Sequence, residues 1–361
     1  MTLTAIGFDR LPGWNADHPA EALAPFVAGC AKMGDALGGS GEAAVRGGSA
    51  SAWQLACDAA RAVPANDAAA RSFFESGFQP YAITADGRDQ GLFTGYYEPE
   101  VNGARSPRAG FEVPLLSKPS DLIQVDLGAF ADDLKGRRVG ARLAAGALVP
   151  YYDRSEIVAG ALHGKRLELL WLANPVDAFF LEIQGSGRVR LVDGHVVRVT
   201  YASQNGRPYV AIGKVLAEQG AIPLEQVSMQ SIRAWLEAHP SEAESVMDRN
   251  PSYVFFRELT GTRPDQGPPG ALGAALTPGR SVAVDRSYLP LGAPIFIDTT
   301  DPIDGTALQR LTVAQDTGGA IKGPVRADVF FGWGADAENR AGRMRQQGHA
   351  YVLLPKAAPS S

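Results

Sequence analysis

Residues 281–292 read SVAVDRSYLPLG, residues 312–323 TVAQDTGGAIKG and residues 325–334 VRADVFFGWG. Each segment sets one aspartate, Asp285, Asp316 or Asp328, beside an apolar run rich in β-branched or aromatic residues, and each is punctuated by glycine or proline. Runs of this kind read as strands that end in turns. A lone aspartate at a strand end is usually a turn residue whose side chain caps nearby backbone amides. Three in one short region point instead to grouped carboxylates that do chemistry.

Working outward, the C-terminal stretch gives short strands and one basic helix, DAENRAGRMRQQG at 336–348, whose arginines read as a solvated face. Strand texture begins at GLFTGYYEPEV, 91–101, and resumes at SYVFFRE, 252–258. Between them, FFLEIQGSGRVRLVDGHVVRVTYA at 179–202 reads as a hairpin, with Asp193-Gly194 supplying the turn. Helical patterns follow at 207–220, 224–240 and 241–250, each closed by Gly or by Pro. The first third carries helical periodicity at 19–33, 51–63 and 69–78. The Gly-rich run at 34–50 reads as a plain loop, because it lacks the Lys-Ser/Thr ending of a phosphate cradle. The order β, mixed insert, β predicts a discontinuous domain in a mainly β chain with helices, an α+β fold.

The chain has 361 residues, 45% of them hydrophobic, enough for two domains with cores of their own. Lys and Arg number 34 against 39 Asp and Glu, a net charge of −5, so no overall basic field favours nucleic acid. No run approaches a membrane span: the best, LELLWLANPVDAFFLEI, is broken by Asn174, Pro175 and Asp177. The residues after Met1 lack the basic start and apolar core of a secretory signal. Cys30 and Cys57 are the only cysteines. In an oxidising compartment they would pair, and in the cytosol they would serve as small buried hydrophobes; the sequence leaves both open. No metal or organic cofactor is expected.

The motifs FTGYYEP, EIQGSG, YASQNGRPYVAIGKVL, SMQSIRAWL, NPSYVFFRE, DRSYLPLG and DTGGAIKG followed by AD occur in this order from about residue 85 to 355. In them the chain resembles the membrane-bound lytic murein transglycosylase A family. The resemblance implies a double-psi β-barrel domain, built from residues 1–112 and 245–361, with a smaller β-barrel-like domain at 113–244 inserted and a deep groove between them. The implied reaction cleaves the β-1,4 bond between N-acetylmuramic acid and N-acetylglucosamine of peptidoglycan, leaving a 1,6-anhydromuramic end.

Such a reaction needs fewer carboxylates than hydrolysis. Ordinary glycosidases use two, one as acid and one as nucleophile or base. Here the sugar's own C6 hydroxyl replaces water, so one group can act first as acid and then as base. The resemblance gives that role to Asp328. An unperturbed Asp titrates near about 3.9, so its environment must raise the value; burial beside Phe330, Phe331 and Trp333 and a neighbouring carboxylate would do so. Asp316 is expected to assist by stabilising an oxocarbenium-like transition state or by holding Asp328 and the groove wall in place. Asp285 is an auxiliary candidate that could equally be a strand-end cap.

Sugar-binding candidates are Thr94, Tyr96, Tyr97 and Glu98 on one wall, Gln184, Ser186 and Gly187 on the other, and Lys322 for a carboxylate of the muramic acid or its peptide. Alternation along a strand lets only one of the two tyrosines face the groove. The tripeptide Asp316-Thr317-Gly318 also occurs in aspartic proteases, but those need two copies and this chain has one. A water-dependent peptidoglycan glycosidase and a catalytically inactive wall-binding relative remain as alternatives. The expected partner is the glycan strand, with cell-wall enzyme complexes as further candidates and a monomeric state. The expected location is the periplasm, associated with the outer membrane through a signal or anchor preceding this sequence.

Overall fold

The computed structural model describes residues 1–37 and 48–356; most of the Gly-rich run at 34–50 falls outside them. The fold is α+β, mostly sheet with helices. The chain forms two compact units, one of Met1–Tyr97 with Arg263–Ser361 and one of Glu98–Thr262. Their joints lie outside the 112/113 and 244/245 positions expected from sequence. Strand pairing explains the difference: Glu100–Ala104 pairs with Ser186–Leu191, and Val254–Glu258 with Val196–Gln204, so both flanking segments belong to the inserted unit.

Six strands organise the first unit: β1 (Gly91–Glu98), β2 (Ser281–Val284), β3 (Pro294–Thr300), β4 (Ala307–Asp316), β5 (Arg326–Trp333) and β6 (Arg345–Pro355). They pair in the order β6, β3, β4, β2, β5, β1, and β1 pairs again with β6, which closes the ring into a barrel. Closure removes the unpaired strand edges that an open sheet would expose. All neighbours are antiparallel where the register is defined except β2 and β4, which run parallel. Strands Phe78–Thr84 and Thr2–Ala5 extend the sheet from β6.

Each barrel strand divides its side chains by alternation. Phe93 of β1, Val282 and Val284 of β2, and Ala327 and Val329 of β5 enter the main core. Their alternates Tyr96, Ala283 and Phe330 form a separate small cluster with Leu276 and Ile321. β3 is apolar throughout its first half because Pro294, Ile295, Phe296 and Ile297 are all buried; Trp14 stacks edge-on against Phe296 at 5.9 Å.

The helices Ala20–Leu37, Ala50–Ala60 and Asp67–Gly77 pack on this core. The second begins at Ser49 and the third at Asn66, whose side chains accept from Ala52 N and Ala69 N. These caps satisfy amide groups that the helix leaves free. Phe26, Trp53, Phe73, Phe74 and Phe78 form one aromatic nest, with neighbouring centroids 5.0–6.1 Å apart, and each large apolar side chain removed from water contributes about 1.5–3 kcal/mol. Arg280, at the entrance to β2, is buried and donates to Asp17, Glu21 and the Leu311 carbonyl, which ties the first helix to the barrel.

In the second unit, a six-stranded sheet runs in the order Val254–Glu258, Val196–Gln204, Ser186–Leu191, Glu100–Ala104, Glu168–Leu172 and Val113–Leu116. Its outer strands meet at an isolated bridge between Ser117 and Phe256, which gives the sheet a barrel-like curl. The expected hairpin forms, but over Ser186–Leu191 and Val196–Gln204 only; Phe179–Gln184 ends a helix, Pro175–Gln184. Asn174 caps that helix, Pro175 opens it, and Gly185 closes it at φ 75°, so its boundaries are written in local capping chemistry.

Cys30 and Cys57 form a disulfide that joins the first two helices across a sequence separation of 27. Closing a loop of this size in the unfolded chain is worth about 3.5 kcal/mol. Replacing both cysteines with alanine, or adding reductant, is therefore expected to lower the thermal midpoint by several degrees; an unchanged midpoint in calorimetry would exclude the bond.

Candidate functional site

Strand β2 positions two of the three aspartates. In its antiparallel pairing with β5, Ala283 lies opposite Asp328, and in its parallel pairing with β4, Ala283 lies opposite Asp316. A β-bulge decides the second match: the register runs Ser281 to Val313 and Val282 to Ala314, then skips Gln315, so that Asp316 falls opposite Ala283. Bulges re-aim side chains in this way beside functional sites. The small Ala283 thus separates two carboxylates.

Strand β1 supplies their hydroxyl partners. Thr94 and Tyr96 are two residues apart and share a face. The Thr94 hydroxyl donates to Asp328 Oδ1 at 2.5 Å, and the Tyr96 hydroxyl donates to Asp316 Oδ2 at 2.9 Å. Gly95, between them, has no room for a side chain: a Cβ there would come within 2.6 Å of the Phe331 ring and 2.9 Å of the Ala341 backbone. That close approach seats β1 against β5 and the helix Gly334–Arg343.

The two carboxylates have unequal surroundings. Asp316 accepts three hydrogen bonds: the Ala271 and Thr317 amides at 2.8 and 2.9 Å on Oδ1, and Tyr96 on Oδ2. Burial nevertheless pushes its pKa up to about 6, against the opposing pull of those donors and with the Asp328 charge adding to the rise. Asp328 accepts from Thr94 alone among the described contacts. Burial raises its pKa too, while the Arg326 charge and the Thr94 bond act the other way. Tyr96 is held well above its usual range, by burial first and then by both aspartates, so it stays a hydroxyl donor. Both carboxylates remain half-buried rather than sealed.

Asp285 belongs to a different arrangement. It is buried, and it accepts from Ser287 N at 3.0 Å and Gly323 N at 2.9 Å. Its bond to Gly323 anchors the end of the loop that runs from Asp316 to β5, so Asp285 fixes the geometry between the other two aspartates. Lys322, beside that anchor, is exposed.

The sequence matches two family models, one described as the MltA specific insert domain over residues 92–257 and one as the 3D domain over residues 280–354. Membrane-bound lytic murein transglycosylase A of Escherichia coli K12 is 35% identical over 287 residues, 77% of this chain and 68% of that protein. The Vibrio cholerae protein of the same name is 32% identical, over 74% of this chain and 67% of its own length. The chain belongs to the membrane-bound lytic murein transglycosylase A family. Among solved structures, MltA from Neisseria gonorrhoeae is 36% identical at a TM-score of 0.81, covering 99% of this chain and 93% of that one. A membrane-bound lytic murein transglycosylase from Agrobacterium tumefaciens is 31% identical at 0.85, covering 98% of both. E. coli MltA with bound chitohexaose is 28% identical at 0.70, covering 99% of this chain and 95% of that one. The family is one of peptidoglycan-cleaving lyases, and its named relatives are membrane-bound; among the described residues no helix is long and apolar enough to cross a membrane.

Within this member of the family, Asp285, Asp316, Asp328, Thr94, Tyr96, Tyr97 and Lys322 lie in the first unit, and Glu98, Gln184, Ser186 and Gly187 in the second. Thr94 and Tyr96 spend their hydroxyls on the aspartates. Tyr97, on the alternate face of β1, is buried. Glu98 is fully buried, with Arg188 on Oε2 and Arg198 on both oxygens at 2.8–3.0 Å, which makes it the counter-ion of two guanidinium groups rather than a surface ligand. Gly187 is required by packing, since a Cβ would fall 2.1 Å from a Leu181 methyl. Ser186 is buried, and the Gln184 amide lies 3.9 Å from Met229 Sδ.

Sequence reasoning missed Arg326, which donates to the Thr94 hydroxyl at 2.8 Å. The spacing Arg326-x-Asp328 on a strand would have placed it on the carboxylate's face. It also missed the Ala271 and Thr317 amides, for which the side-chain pattern carries no signal. Removing the Glu98 charge strands two buried cations, so Glu98→Gln is expected to cost about 3–5 kcal/mol of stability. Urea unfolding checks this, and a loss below about 1 kcal/mol would show that the cluster is solvated.

Proposed function

We propose that this chain cleaves the β-1,4 bond between N-acetylmuramic acid and N-acetylglucosamine of peptidoglycan by intramolecular transglycosylation, with Asp328 as acid and then base. The observation that carries the reading is the asymmetry of the two carboxylates flanking Ala283: Asp316 has three donors and Asp328 one hydroxyl. Donors to the charged form favour ionisation, and burial with few donors favours the acid. Two neighbouring carboxyls that share a site do not both ionise readily, so the pair holds one proton, and the reading requires that Asp328 carry it when the glycan binds.

Protonated Asp328 gives its proton to the glycosidic oxygen as the bond to C1 of the muramic sugar breaks. The C6 hydroxyl then attacks C1, the C1–O6 bond forms, and the hydroxyl proton passes to the Asp328 carboxylate, restoring the acid. The Asp316 carboxylate, held by Tyr96 and two amides, faces the positive charge that develops at C1. Such fixed electrostatic stabilisation is commonly a large term in catalysis. Asp285 keeps the connecting loop in place. The six-stranded ring of the first unit is read as the double-psi barrel, with exposed Lys322 as a glycan or peptide contact. The Cys30–Cys57 disulfide fits an oxidising compartment, which supports periplasmic action with outer-membrane association.

Asp328→Asn is expected to reduce digestion of purified sacculi by about 10²- to 10⁴-fold without altering the circular dichroism spectrum. Mass spectrometry of the muropeptides separates the two chemistries, since an anhydro end is one water lighter than a hydrolysed end. A hydrolysed product would remove the transglycosylase reading.

The activity should follow a bell in pH. On this reading turnover falls on the acidic side as the pair gains a second proton and on the alkaline side as it loses its last one, with burial holding both carboxyls above their ordinary range. The two apparent values belong to the pair. Asp316→Asn should abolish the acidic limb; if that limb persists unchanged, another group owns it.

A further inference from the structure

Arg326 stands two residues before Asp328 on β5, and its guanidinium is fixed at three points. One terminal nitrogen donates to the Leu92 carbonyl at 3.2 Å and to the Ala327 carbonyl at 2.6 Å. The other donates to the Thr94 hydroxyl oxygen at 2.8 Å. That hydroxyl in turn donates to Asp328 Oδ1 at 2.5 Å. A threonine hydroxyl has one hydrogen to give and two lone pairs to offer. With the guanidinium occupying the oxygen, the favourable place for the hydrogen is the carboxyl of Asp328.

We propose that Arg326 is a positioning residue for the reaction: acting through Thr94, it commits the hydroxyl to donate to Oδ1 of Asp328 and so leaves Oδ2 as the oxygen that carries the transferable proton. An acid whose proton could sit on either oxygen would spend part of its time in an unproductive state. The backbone tethers on Leu92 and Ala327 hold the guanidinium in place whether Asp328 is charged or neutral. Arg326 is therefore an orienting group that survives both halves of the cycle, and its cationic charge also restrains the rise that burial imposes on Asp328.

The groups that bear on the titration of Asp328 are Arg326 on its own strand and the Thr94 hydroxyl on β1; the charge of Asp328 in turn raises the pKa of Tyr96 on β1 and of Asp316 on β4, and Arg345 on β6 is the register partner of Thr94. Removing the Arg326 charge while the others remain moves the Asp328 pKa upward. The alkaline limb of the activity profile then moves to higher pH, an effect that loss of structural support alone does not produce.

The inference rests on Asp328 being the acid, and the experiment separates the two. Sacculus-digesting activity of the full chain is measured against pH for Arg326→Met, Arg326→Lys, Thr94→Val and the Arg326→Met/Thr94→Val pair, with Asp328→Asn as reference. Arg326→Met is expected to lose at least about tenfold in kcat with KM within about twofold and to shift the alkaline limb upward. Arg326→Lys should return the limb toward its original position. In the Thr94→Val background Arg326→Met should add less than about twofold, because both act through one hydroxyl. An unshifted limb, or effects that multiply in the double variant, overturns the role of Arg326. Should Arg326→Met fail to fold, Arg326→Lys is compared in the Thr94 and Thr94→Val backgrounds: an equal effect in both overturns the proposal, and an effect confined to the first supports it. Retained activity in Asp328→Asn would instead defeat the acid assignment itself.

Discussion

The site depends on one strand. β2 is only four residues long, Ser281–Val284, yet it pairs with β4 on one side and β5 on the other. Ala283 is the single position opposite both Asp316 and Asp328, and the bulge that skips Gln315 brings Asp316 to it. Gln315 points elsewhere, to Ser281 and to the Pro25 carbonyl of the first helix, at a position where it is fully buried. The bulge thus serves two ends: a buried amide ties the helical layer to the barrel, and the next residue is free to be a functional carboxylate. Ring closure holds β2 in place, because a slipped register would separate the pair.

This arrangement has a thermodynamic cost. Burial raises the pKa of Asp316 to about 6, above the ordinary carboxylate range, a cost on the order of 3 kcal/mol. Since the folded value exceeds the unfolded one, the cost is absent at low pH and grows as pH rises from about 4 through about 6, where the folded state must give up a proton it prefers to keep. The aromatic nest, the disulfide and the Arg280 cluster lie in the same unit and offset it. Strain of this kind is commonly located at functional sites and compensated elsewhere.

Burial alone does not distinguish a working carboxylate from a structural one. Glu98 is more buried than either Asp316 or Asp328, but two guanidinium groups saturate it, and Glu182 is saturated likewise by Arg154 and the Val254 amide. Asp285 is buried and held by two amides. Among the described residues, only Asp316 and Asp328 combine enclosure with hydroxyl partners and an electrostatic influence of one on the other. A carboxylate surrounded by full positive charges is locked in one protonation state; one surrounded by hydroxyls can change.

Much of this was legible in the chain. The α+β class, the helical first third and the Asp193-Gly194 hairpin turn follow from period, turn chemistry and composition, which act over a few residues and are therefore printed in the local sequence. The helix Pro175–Gln184 was missed because its apolar residues also satisfy a buried strand, although Asn174, Pro175 and Gly185 carried the capping signal. Alternation along β1 placed Thr94 and Tyr96 on one face, but which aspartate each meets was beyond the sequence. So were the parting of Glu98 from that pair, the pairing of Cys30 with Cys57, and the bulge opposite Ala283. These depend on register and closure between segments as distant as those of Thr94 and Asp328, 234 residues apart, where a shift of one position reverses every face. Sequence determined which residues could do the chemistry; the tertiary structure decided which of them meet, because the partners of Asp316 and Asp328 come from β1 and from the Ala271 loop, distant in the chain.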